Sequence, residues 1–529
     1  MKYLVKRNEM RQYDKNTIHH FGIPSMVLIE RAALAALEEI EKIFECGKAR
    51  ILIACGVGNN GADGLVLARL LYLKGYEVEI LTVGNRQKAT EENKQELMIA
   101  DAYGLVRFST ETFFARHGLH ANEQIVNHAE SLQQAREYDL IVDAVFGVGL
   151  SRRIEGEYGQ LLELLNQLRA KKLALDIPSG IDADDGSVLG IAFRADLTVT
   201  FSYEKVGMRL YPGQEYCGTI ICRSVGIDDY SFLTNQPHGY APTMAAYTRE
   251  DLDFIPGRRP HTNKGSYGKV LVIAGSVNMA GAAVFSARAA YLSGCGLVRV
   301  LTAEENRVII QSTLPEAVLT TYHEKKPDKE AVIQALQWAD VIVCGPGLGI
   351  SDTSRLLVQM VLKNAAVPVI MDADALNLIA EDVDILKKPH TELIVTPHLG
   401  EMARLAGVTI SYIKDHLIET AEEFARTYQL TCVLKDARTI TAVPYGMTYV
   451  NLSGNNGMAT GGSGDVLTGV IAALIAQGLK PEQAAPLGVY IHGAAGDEAA
   501  KRHGRYSLMA NSLLEALPLI FCEKEGMVK

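Results

Sequence analysis

Residues 51–64 read Ile51-Leu52-Ile53-Ala54-Cys55-Gly56-Val57-Gly58-Asn59-Asn60-Gly61-Ala62-Asp63-Gly64. The first five residues form the short apolar run that is typical of a buried strand. The glycines after them indicate a tight turn, and the apolar residues from position 65 onward have helical spacing. Because strand, glycine loop and helix in this order begin a βαβ unit, the stretch predicts an α/β fold with a parallel sheet.

The same alternation continues on both sides of this unit. Residues 25–44 have the spacing of an amphipathic helix, and short β-rich runs recur after the loop. Further strands of this half are predicted at residues 78–83, 140–142, 173–175 and 197–201.

A second series of alternating strands and helices begins at residue 270 and continues to about residue 434. Between the two series, a polar stretch with prolines interrupts the pattern and indicates a linker. A chain of 529 residues is long enough for two α/β domains. We predict domains at residues 1–226 and 246–529, joined by a linker at residues 227–245.

Composition excludes several classes of partner. The formal net charge is -10, and acidic and basic residues are mixed, so the basic surface that nucleic acid requires is not expected. The eight cysteines contain no CxxC pair and are typical of a reducing compartment. The longest apolar run is shorter than the roughly 20 residues that cross a bilayer, and no signal peptide is recognised. We expect a soluble cytoplasmic protein.

Two predicted strands of the first half end in aspartate. Asp143 follows residues 140–142, and Asp176 follows residues 173–175. Ligands of parallel α/β sheets bind at these carboxyl ends of strands. The loop after Asp143 contains glycines that permit close approach, and Arg152 and Arg153, which could hold phosphates. Together these features favour a binding or catalytic site over purely structural aspartates, although the glycine pattern at residues 56–61 alone could be only a tight turn.

Four motifs of the first half together resemble the NAD(P)HX epimerase family, over about residues 10–226. The motifs are Asn59-Asn60-Gly61-Ala62-Asp63-Gly64, Asp143-Ala144-Val145-Phe146-Gly147-Val148-Gly149-Leu150, Asp176-Ile177-Pro178-Ser179-Gly180-Ile181-Asp182 and Ala195-Asp196-Leu197-Thr198-Val199-Thr200-Phe201. The resemblance implies a Rossmann-like three-layer domain that interconverts the two C6 epimers of hydrated NADH or NADPH and binds K⁺.

The resemblance also implies roles for individual residues. The potassium ligands would be Asn60, Asp143 and Ser179, and Asp176 would be the acid/base. The implied substrate contacts are Asn59, Asn60, Gly61, Ala62, Asp63, Gly147, Val148, Gly149, Leu150, Ser151, Arg152, Arg153, Tyr158 and Asp176. A carboxylate suits the chemistry, since reversible cleavage of the C6–O bond requires a group that shuttles a proton.

The second half contains the loop Gly461-Gly462-Ser463-Gly464-Asp465, which leads into an apolar helix. Such a turn directs backbone N–H groups and the positive helix end at an anion, although Asp465 could merely favour the helix dipole. A predicted strand at residues 431–434 ends in Lys435-Asp436-Ala437-Arg438-Thr439, whose cations could meet nucleotide phosphates or solvent. His398, also at a strand end, is equally ambiguous.

Several motifs of the second half together are similar to the NAD(P)HX dehydratase branch of the ribokinase-like fold, over about residues 245–520. They are residues 261–269, Ala274-Gly275-Ser276, Gly345-Pro346-Gly347-Leu348-Gly349, Asp372-Ala373-Asp374-Ala375-Leu376-Asn377, residues 396–401 and residues 461–465. The implied nucleotide contacts are Lys435, Asp436, Ala437, Arg438, Thr439 and Gly464. The implied contacts to the hydrated cofactor are Ala282, Gly347, His398 and Asp465.

The implied reaction phosphorylates the C6 hydroxyl of the S epimer and then expels phosphate, which regenerates NADH or NADPH. Asp465 would orient or deprotonate the hydroxyl, and Mg²⁺ would stabilise the transferring group. In this family a fused epimerase domain usually accompanies ADP as the donor, which gives AMP and phosphate. The family also implies a homo-oligomer, with a tetramer as its expected form. Two departures are Ser463, where threonine is common, and Asp436, where glycine is common.

Three alternatives remain. A vitamin or sugar kinase with a regulatory first half would have the same fold class, because fold does not fix the substrate. The first half could be a noncatalytic binding module, although the joint presence of Asn60, Asp143 and Asp176 argues against it. A dehydrogenase is the weakest alternative, because the acidic residue that would bind the ribose is missing after residues 78–83.

Overall fold

The computed structural model describes residues 1–118, 138–233, 239–323, 327–387 and 391–526. The chain divides into two compact units, Tyr3–Thr243 and Met244–Lys529, with Met1–Lys2 grouped with the second. Both are α/β units, which confirms the predicted fold class. In none of the described segments is a helix long and apolar enough to cross a membrane.

Strands and helices alternate along most of the described chain. The strands are β1 Lys2–Val5, β2 Arg50–Cys55, β3 Glu77–Thr82, β4 Val106–Ser109, β5 Leu140–Ala144, β6 Lys171–Leu175, β7 Leu197–Phe201, β8 Glu204–Lys205, β9 Thr219–Arg223, β10 Met244–Ala246, β11 Lys269–Ile273, β12 Leu297–Ala303, β13 Val318–Tyr322, β14 Val341–Cys344, β15 Val369–Met371, β16 Leu393–Val395, β17 Thr431–Leu434, β18 Ile440–Ala442 and β19 Thr448–Val450. The α-helices are α1 Arg7–His19, α2 Ser25–Glu41, α3 Asn59–Leu73, α4 Glu91–Ala102, α5 Thr110–Arg116, α6 Gly156–Gln167, α7 Gln214–Cys217, α8 Ala280–Leu292, α9 Arg307–Thr313, α10 Lys329–Trp338, α11 Asp352–Asn364, α12 Asp374–Ile379, α13 Leu399–Ala406, α14 Ile410–Asp415, α15 Leu417–Tyr428, α16 Ser463–Ala476, α17 Pro481–His503 and α18 Ala510–Lys524.

The first unit contains a parallel sheet in the order β4-β3-β2-β5-β6-β7-β9. Side chains of β2 alternate between its faces: Ile51 and Ile53 pack with α2 and α3, whereas Leu52 and Ala54 pack with α6. The sheet is therefore covered on both faces, as in a three-layer domain. Strand order reverses between β2 and β5, which opens a crevice at their carboxyl ends.

The second unit contains strands in the order β13-β12-β11-β14-β15-β16-β17-β18-β19-β10. Strands β11 to β17 are parallel, and β18 is antiparallel to both of its neighbours. Buried residues of α8, α16, α17 and α18 form one large apolar core with the strands. Because β14 to β17 are consecutive parallel neighbours, the loops after them meet at one edge of the sheet.

The predicted linker at residues 227–245 includes residues that pack in the first unit. Ile227 and Phe232 are buried in its apolar core, whereas β10 begins at Met244 in the second unit. Residues 234–238 of the predicted linker lie outside the described residues. The boundaries of the two domains and of the linker therefore stay predictions. Polarity and proline indicated a linker, but the buried side chains of Ile227 and Phe232 have no periodic apolar pattern around them.

Candidate active sites

A cavity of about 710 Å³ lies at the carboxyl ends of β2, β5 and β6 in the first unit. The loop before α3 and the loop after β5 line the cavity, at the point where the strand order reverses. The predicted substrate contacts that line it are Asn59, Asn60, Asp63, Gly147, Val148, Gly149, Leu150, Ser151, Arg152 and Asp176. Most of the predicted contacts therefore lie together on the wall of one cavity.

Four predicted contacts do not line this cavity: Gly61, Ala62, Arg153 and Tyr158. Arg153 is exposed, with its Nε 3.6 Å from a carboxylate oxygen of Glu155. The ring of Tyr158 packs on Phe146, with the ring centroids 4.8 Å apart. Their roles as substrate contacts stay predictions.

Asp143 and Ser179 form a buried pair behind the cavity wall. The backbone N–H and the hydroxyl of Ser179 each donate a hydrogen bond to the Asp143 carboxylate, both at 2.7 Å. Burial raises the pKa of Asp143 to about 6, although the hydrogen bonds from Ser179 and Val145 oppose the rise. The end of β5 and the loop after the adjacent strand β6 are thereby joined.

Asn60 lies in the first turn of α3. Its amide oxygen and nitrogen are both buried, and neither has a hydrogen-bond partner among the residues that the structure describes. A Cβ added to Gly147 would lie 3.3 Å from Asn60 Cγ and 2.8 Å from Asp176 Oδ2. Only glycine thus allows the loop after β5 to approach both side chains so closely.

Asp176 adopts a left-handed backbone conformation, with φ of +66°, immediately after β6. Such a conformation is strained for a residue with a side chain and is typical of functional sites. The Val148 N–H donates to Asp176 Oδ2 at 2.8 Å, and Oδ1 forms an ion pair with Lys205. Lys205 is wholly buried and was not predicted from the sequence.

Two further carboxyl groups face the same cavity, on Asp63 and on Asp14 of α1. Burial raises the pKa of Asp63 well above its usual range, and the charges of Asp176 and Asp14 add to the rise, whereas Lys205 opposes it. Burial also raises the pKa of Asp14, and the negative charge of Asp176 adds to this rise. Asp14 was missed because helix α1 has no sequence signal that relates it to the glycine loops.

The glycine loop of the second unit begins helix α16. Gly462 is the residue before the helix and has φ of +86°, a conformation that a side chain would strain. Ser463 is therefore the first helical residue, and Asp465 lies in the first turn. The N–H groups of this turn form the kind of helix N-terminus that binds anions.

Lys435 and Asp372 form an ion pair next to this helix start. Lys435 Nζ lies 2.7 Å from Asp372 Oδ1, and a Cβ added to Gly464 would lie 3.3 Å from Lys435 Nζ. Burial, together with the charge of Asp372, raises the pKa of Asp465 to about 6, although Lys435 opposes the rise. Glycine loop, cation and two carboxyl groups therefore lie together at the ends of β15 and β17.

His398 caps helix α13. Its Nδ1 accepts hydrogen bonds from the N–H groups of Gly400, at 2.9 Å, and Glu401, at 3.2 Å. Its backbone pairs with that of Lys435, so the two strand ends are adjacent. The side chain is 55% exposed, and its Nε2 lies 3.4 Å from a carboxylate oxygen of Glu401. His398 thus has the structural role that the sequence left open, and its predicted substrate contact stays a prediction.

Ala282 and Gly347 also lie side by side. A Cβ added to Gly347 would lie 2.8 Å from Ala282 Cβ. On the same helix, the Ser286 hydroxyl donates to the carbonyl of Asp465 at 2.9 Å, so α8 is tied to the glycine loop. Two predicted substrate contacts are therefore on a helix and loop that adjoin Asp465.

The remaining predicted nucleotide contacts lie in the turn between β17 and β18. Asp436 and Ala437 are exposed. Arg438 donates to the carbonyl of Leu452 at 3.1 Å, and the Thr439 hydroxyl lies 3.4 Å from the carbonyl of Asp436. The roles of these four residues as nucleotide contacts stay predictions.

His492 of α17 is another residue that sequence reasoning missed. Its Nε2 lies 3.3 Å from the Ser463 hydroxyl in the glycine loop. Burial lowers the pKa of His492 to about 4, so the imidazole is neutral at physiological pH. A histidine inside a long helix has no sequence signal that connects it to a loop well before it in the chain.

Comparisons with known proteins agree with both halves. Residues 25–207 match the family described as YjeF-related protein N-terminus, and residues 270–519 match the family described as NAD(P)H-hydrate dehydratase. The bifunctional NAD(P)H-hydrate repair enzyme Nnr of Moorella thermoacetica is 38% identical, over 100% of this chain and 98% of its own length. The enzyme of the same name from Escherichia coli is 35% identical, over 97% of this chain and 93% of its own.

One solved structure completes the comparison. The ADP/ATP-dependent NAD(P)H-hydrate dehydratase of Bacillus subtilis, co-crystallised with ATP and Mg²⁺, is 32% identical. It is matched over 54% of this chain and 100% of its own, with a TM-score of 0.47. These two relatives show the family, because each is more than 30% identical over at least 97% of the chain. The chain belongs to the family of bifunctional NAD(P)H-hydrate repair enzymes.

Proposed function

We propose that the chain repairs hydrated NADH and NADPH in two reactions. The first unit interconverts the R and S epimers, and the second dehydrates the S epimer with ADP as donor, giving NADH or NADPH, AMP and phosphate. One observation carries the proposal. A carboxylate-lined cavity with Asp176 and a helix N-terminus with Asp465, Lys435 and Asp372 occur on one chain.

The first reaction requires an acid and a base near C6 of the hydrate. The ring nitrogen can expel the C6 hydroxyl as water once that hydroxyl has received a proton. The resulting cation adds water on either face, and a carboxylate takes the proton that this water releases. Asp63, whose pKa is raised by burial, can supply the first proton, and the Asp176 carboxylate can accept the second.

We propose potassium as the cation of the first site, held by Asn60, Asp143 and Ser179. The amide oxygen of Asn60 supports this assignment, because buried polar atoms in proteins almost always have a partner and this one has none within the described ranges. The Asp143 carboxylate contributes negative charge. When bound, potassium supplies positive charge beside the substrate.

Asn60→Ala is expected to weaken potassium activation of epimerisation by at least about 10-fold, because it removes one oxygen ligand. Epimerisation and thermal unfolding would be measured in KCl and in tetramethylammonium chloride of equal ionic strength. We expect KCl to accelerate and stabilise the unchanged protein, and the variant to lose both effects. Dehydration by the same chain is the control. Equal responses to KCl in both proteins would remove Asn60 from the cation site.

The second reaction moves a phosphoryl group from ADP to the C6 hydroxyl. Asp465 accepts the hydroxyl proton as the oxygen attacks, while Lys435 and the N–H groups of α16 stabilise the charge on the transferring group. Phosphate then leaves C6, assisted by the ring nitrogen, and the departing phosphate or water takes a proton from C5, which restores the double bond. Mg²⁺ would be held mainly by the nucleotide phosphates, with a carboxylate oxygen of Asp372.

The nucleotide contacts remain part of the proposal: Lys435, Asp436, Ala437, Arg438, Thr439 and Gly464. So do the contacts of Ala282, Gly347 and His398 to the hydrated cofactor. ADP rather than ATP is proposed because of the fused first domain, and the nucleotide product distinguishes them: AMP forms from ADP, whereas ADP forms from ATP. A cytoplasmic location and a tetramer are also proposals, the second tested by light scattering after gel filtration.

One assay tests the whole proposal. An equal mixture of the epimers is incubated with ADP and Mg²⁺, and NADH formation is followed by absorbance. Complete conversion is expected if both units are active, and conversion of half indicates a silent first unit. A stable phosphorylated product, detected by chromatography, would instead support a kinase, and no conversion would reject the proposal.

A further inference from the structure

We propose that Lys205 is a positioning residue of the first site, which fixes Asp176 as the charged member of the three carboxyl groups that face the cavity. The inference rests on the proposed epimerase function and deepens it. It concerns a residue that neither touches the cavity surface nor lies in the motifs that identified the site.

The ammonium group of Lys205 has acceptors on every side. Its Nζ forms an ion pair with Asp176 Oδ1, donates to Thr200 Oγ1 at 2.8 Å, and lies 3.4 Å from the carbonyl of Phe201. The side chain is wholly buried. Three acceptors match the three hydrogens of an ammonium, so none is left for a substrate. Lys205 therefore acts through Asp176.

The backbone holds Lys205 firmly in this place. Strand β8 pairs in parallel with β1, where Lys205 lies opposite Val5. The preceding residue, Glu204, receives two hydrogen bonds from Arg209, at 2.6 and 2.7 Å. A buried ion pair often contributes less stability than apolar residues of similar volume would, because both charged groups lose their contact with water. Such a loss of stability is typical of functional sites rather than of structural cores.

The ion pair with Lys205 gives Asp176 a neighbouring positive charge that distinguishes it from the other two carboxyl groups of the cavity. Asp176 has a buried cation, whereas neither Asp14 nor Asp63 has an ion pair in the described part of the chain. The pKa of Asp63 is raised by burial and by the charge of Asp176. A carboxylate paired with a buried cation, beside a carboxyl group whose pKa is raised, is the combination of base and acid that the epimerisation needs.

The ion pair also fixes the direction of Asp176. With Oδ1 held by Lys205 and Oδ2 by the Val148 N–H, neither oxygen can rotate away from the cavity. Loss of the ammonium would release Oδ1 while leaving the substrate pocket unchanged. The expected effect is therefore on the rate of the chemical step and little on substrate binding.

Lys205→Ala, which leaves a cavity, tests the inference. We expect kcat for epimerisation to fall by about 100-fold with KM nearly unchanged. Propylammonium, which has the four heavy atoms that alanine lacks and supplies the charge, should restore a substantial part of kcat, whereas 1-propanol of the same size should not. Lys205→Arg should retain more activity than Lys205→Ala. Lys172→Ala is the matched control, because the ammonium group of that half-buried lysine donates to the Leu168 carbonyl and the residue does not line the cavity.

Dehydration of pure S epimer is measured for each Lys205 variant, because it shows whether the second unit of the variant is still folded and active. Unchanged kcat, a change confined to KM, or equal rescue by the alcohol and the amine would overturn the inference. If Lys205→Ala fails to fold, Lys205→Met, which fills the space without a charge, decides: full epimerase activity in that variant overturns the inference. Failure of the unchanged protein to convert the R epimer would instead reject the proposed function.

Discussion

Asp465→Asn is expected to abolish formation of NADH from the S epimer, lowering kcat by about 100- to 10,000-fold. Asparagine keeps the size and the helix start but cannot accept the C6 hydroxyl proton. Asp465 lies in the first turn of α16, beside the Lys435–Asp372 ion pair, where the transferring phosphoryl group is proposed to bind. Because the residue is in the reacting step, KM should change much less than kcat.

The pH dependence provides a second measurement on the same residue. Burial raises the pKa of Asp465 to about 6, so the carboxylate takes up a proton as the pH falls through that value. Dehydration by the unchanged protein should therefore slow about tenfold per pH unit below about pH 6. The residual dehydration rate of Asp465→Asn should not show this decrease at low pH.

Two controls make the result specific. Epimerisation by the first unit of the same chain should be unaffected, and Asp415→Asn, which alters an exposed carboxyl at the end of α14, should leave dehydration unchanged. Phosphate and AMP would be quantified together with absorbance. A variant that still turns over at the normal rate would remove Asp465 from the reaction, while leaving the family assignment in place.

Local pattern was sufficient for much of the fold. The apolar run at residues 51–55 corresponds to β2 Arg50–Cys55, because five consecutive apolar residues before glycines are a pattern that a buried parallel strand requires. The helix predicted from residue 466 begins instead at Ser463, since the left-handed Gly462 ends the loop earlier than the apolar run suggests. Such boundaries depend on a backbone conformation that residue type only restricts.

The sequence predicted site residues only where they lie in or next to a loop that follows a strand of the sheet. Asp176 and the glycine loop after Asp143 could be placed at the cavity because they follow strands of one parallel sheet. Asp14 and Lys205 could not, because they reach Asp63 and Asp176 through tertiary contacts between α1, β8 and distant loops. Nothing in their local sequence indicates that contact.

Asp176→Asn is expected to lower the rate of epimerisation by about 100- to 10,000-fold, because the carboxylate that accepts the proton is lost. An equal mixture of epimers with ADP should then stop near half conversion, whereas the unchanged protein proceeds to completion. Asparagine can still accept the Val148 N–H bond, so the loop after β5 should keep its position. Measured dehydration of pure S epimer should be normal.

The same substitution also leaves Lys205 buried without its counter-charge, which typically costs about 3–5 kcal/mol. Thermal unfolding of the first unit must therefore be followed beside activity. The double variant Asp176→Asn with Lys205→Met removes both charges and should recover much of that stability while remaining inactive as an epimerase. Recovery of epimerisation along with stability would mean that Asp176 supports the fold and that another carboxyl, Asp63 or Asp14, moves the proton.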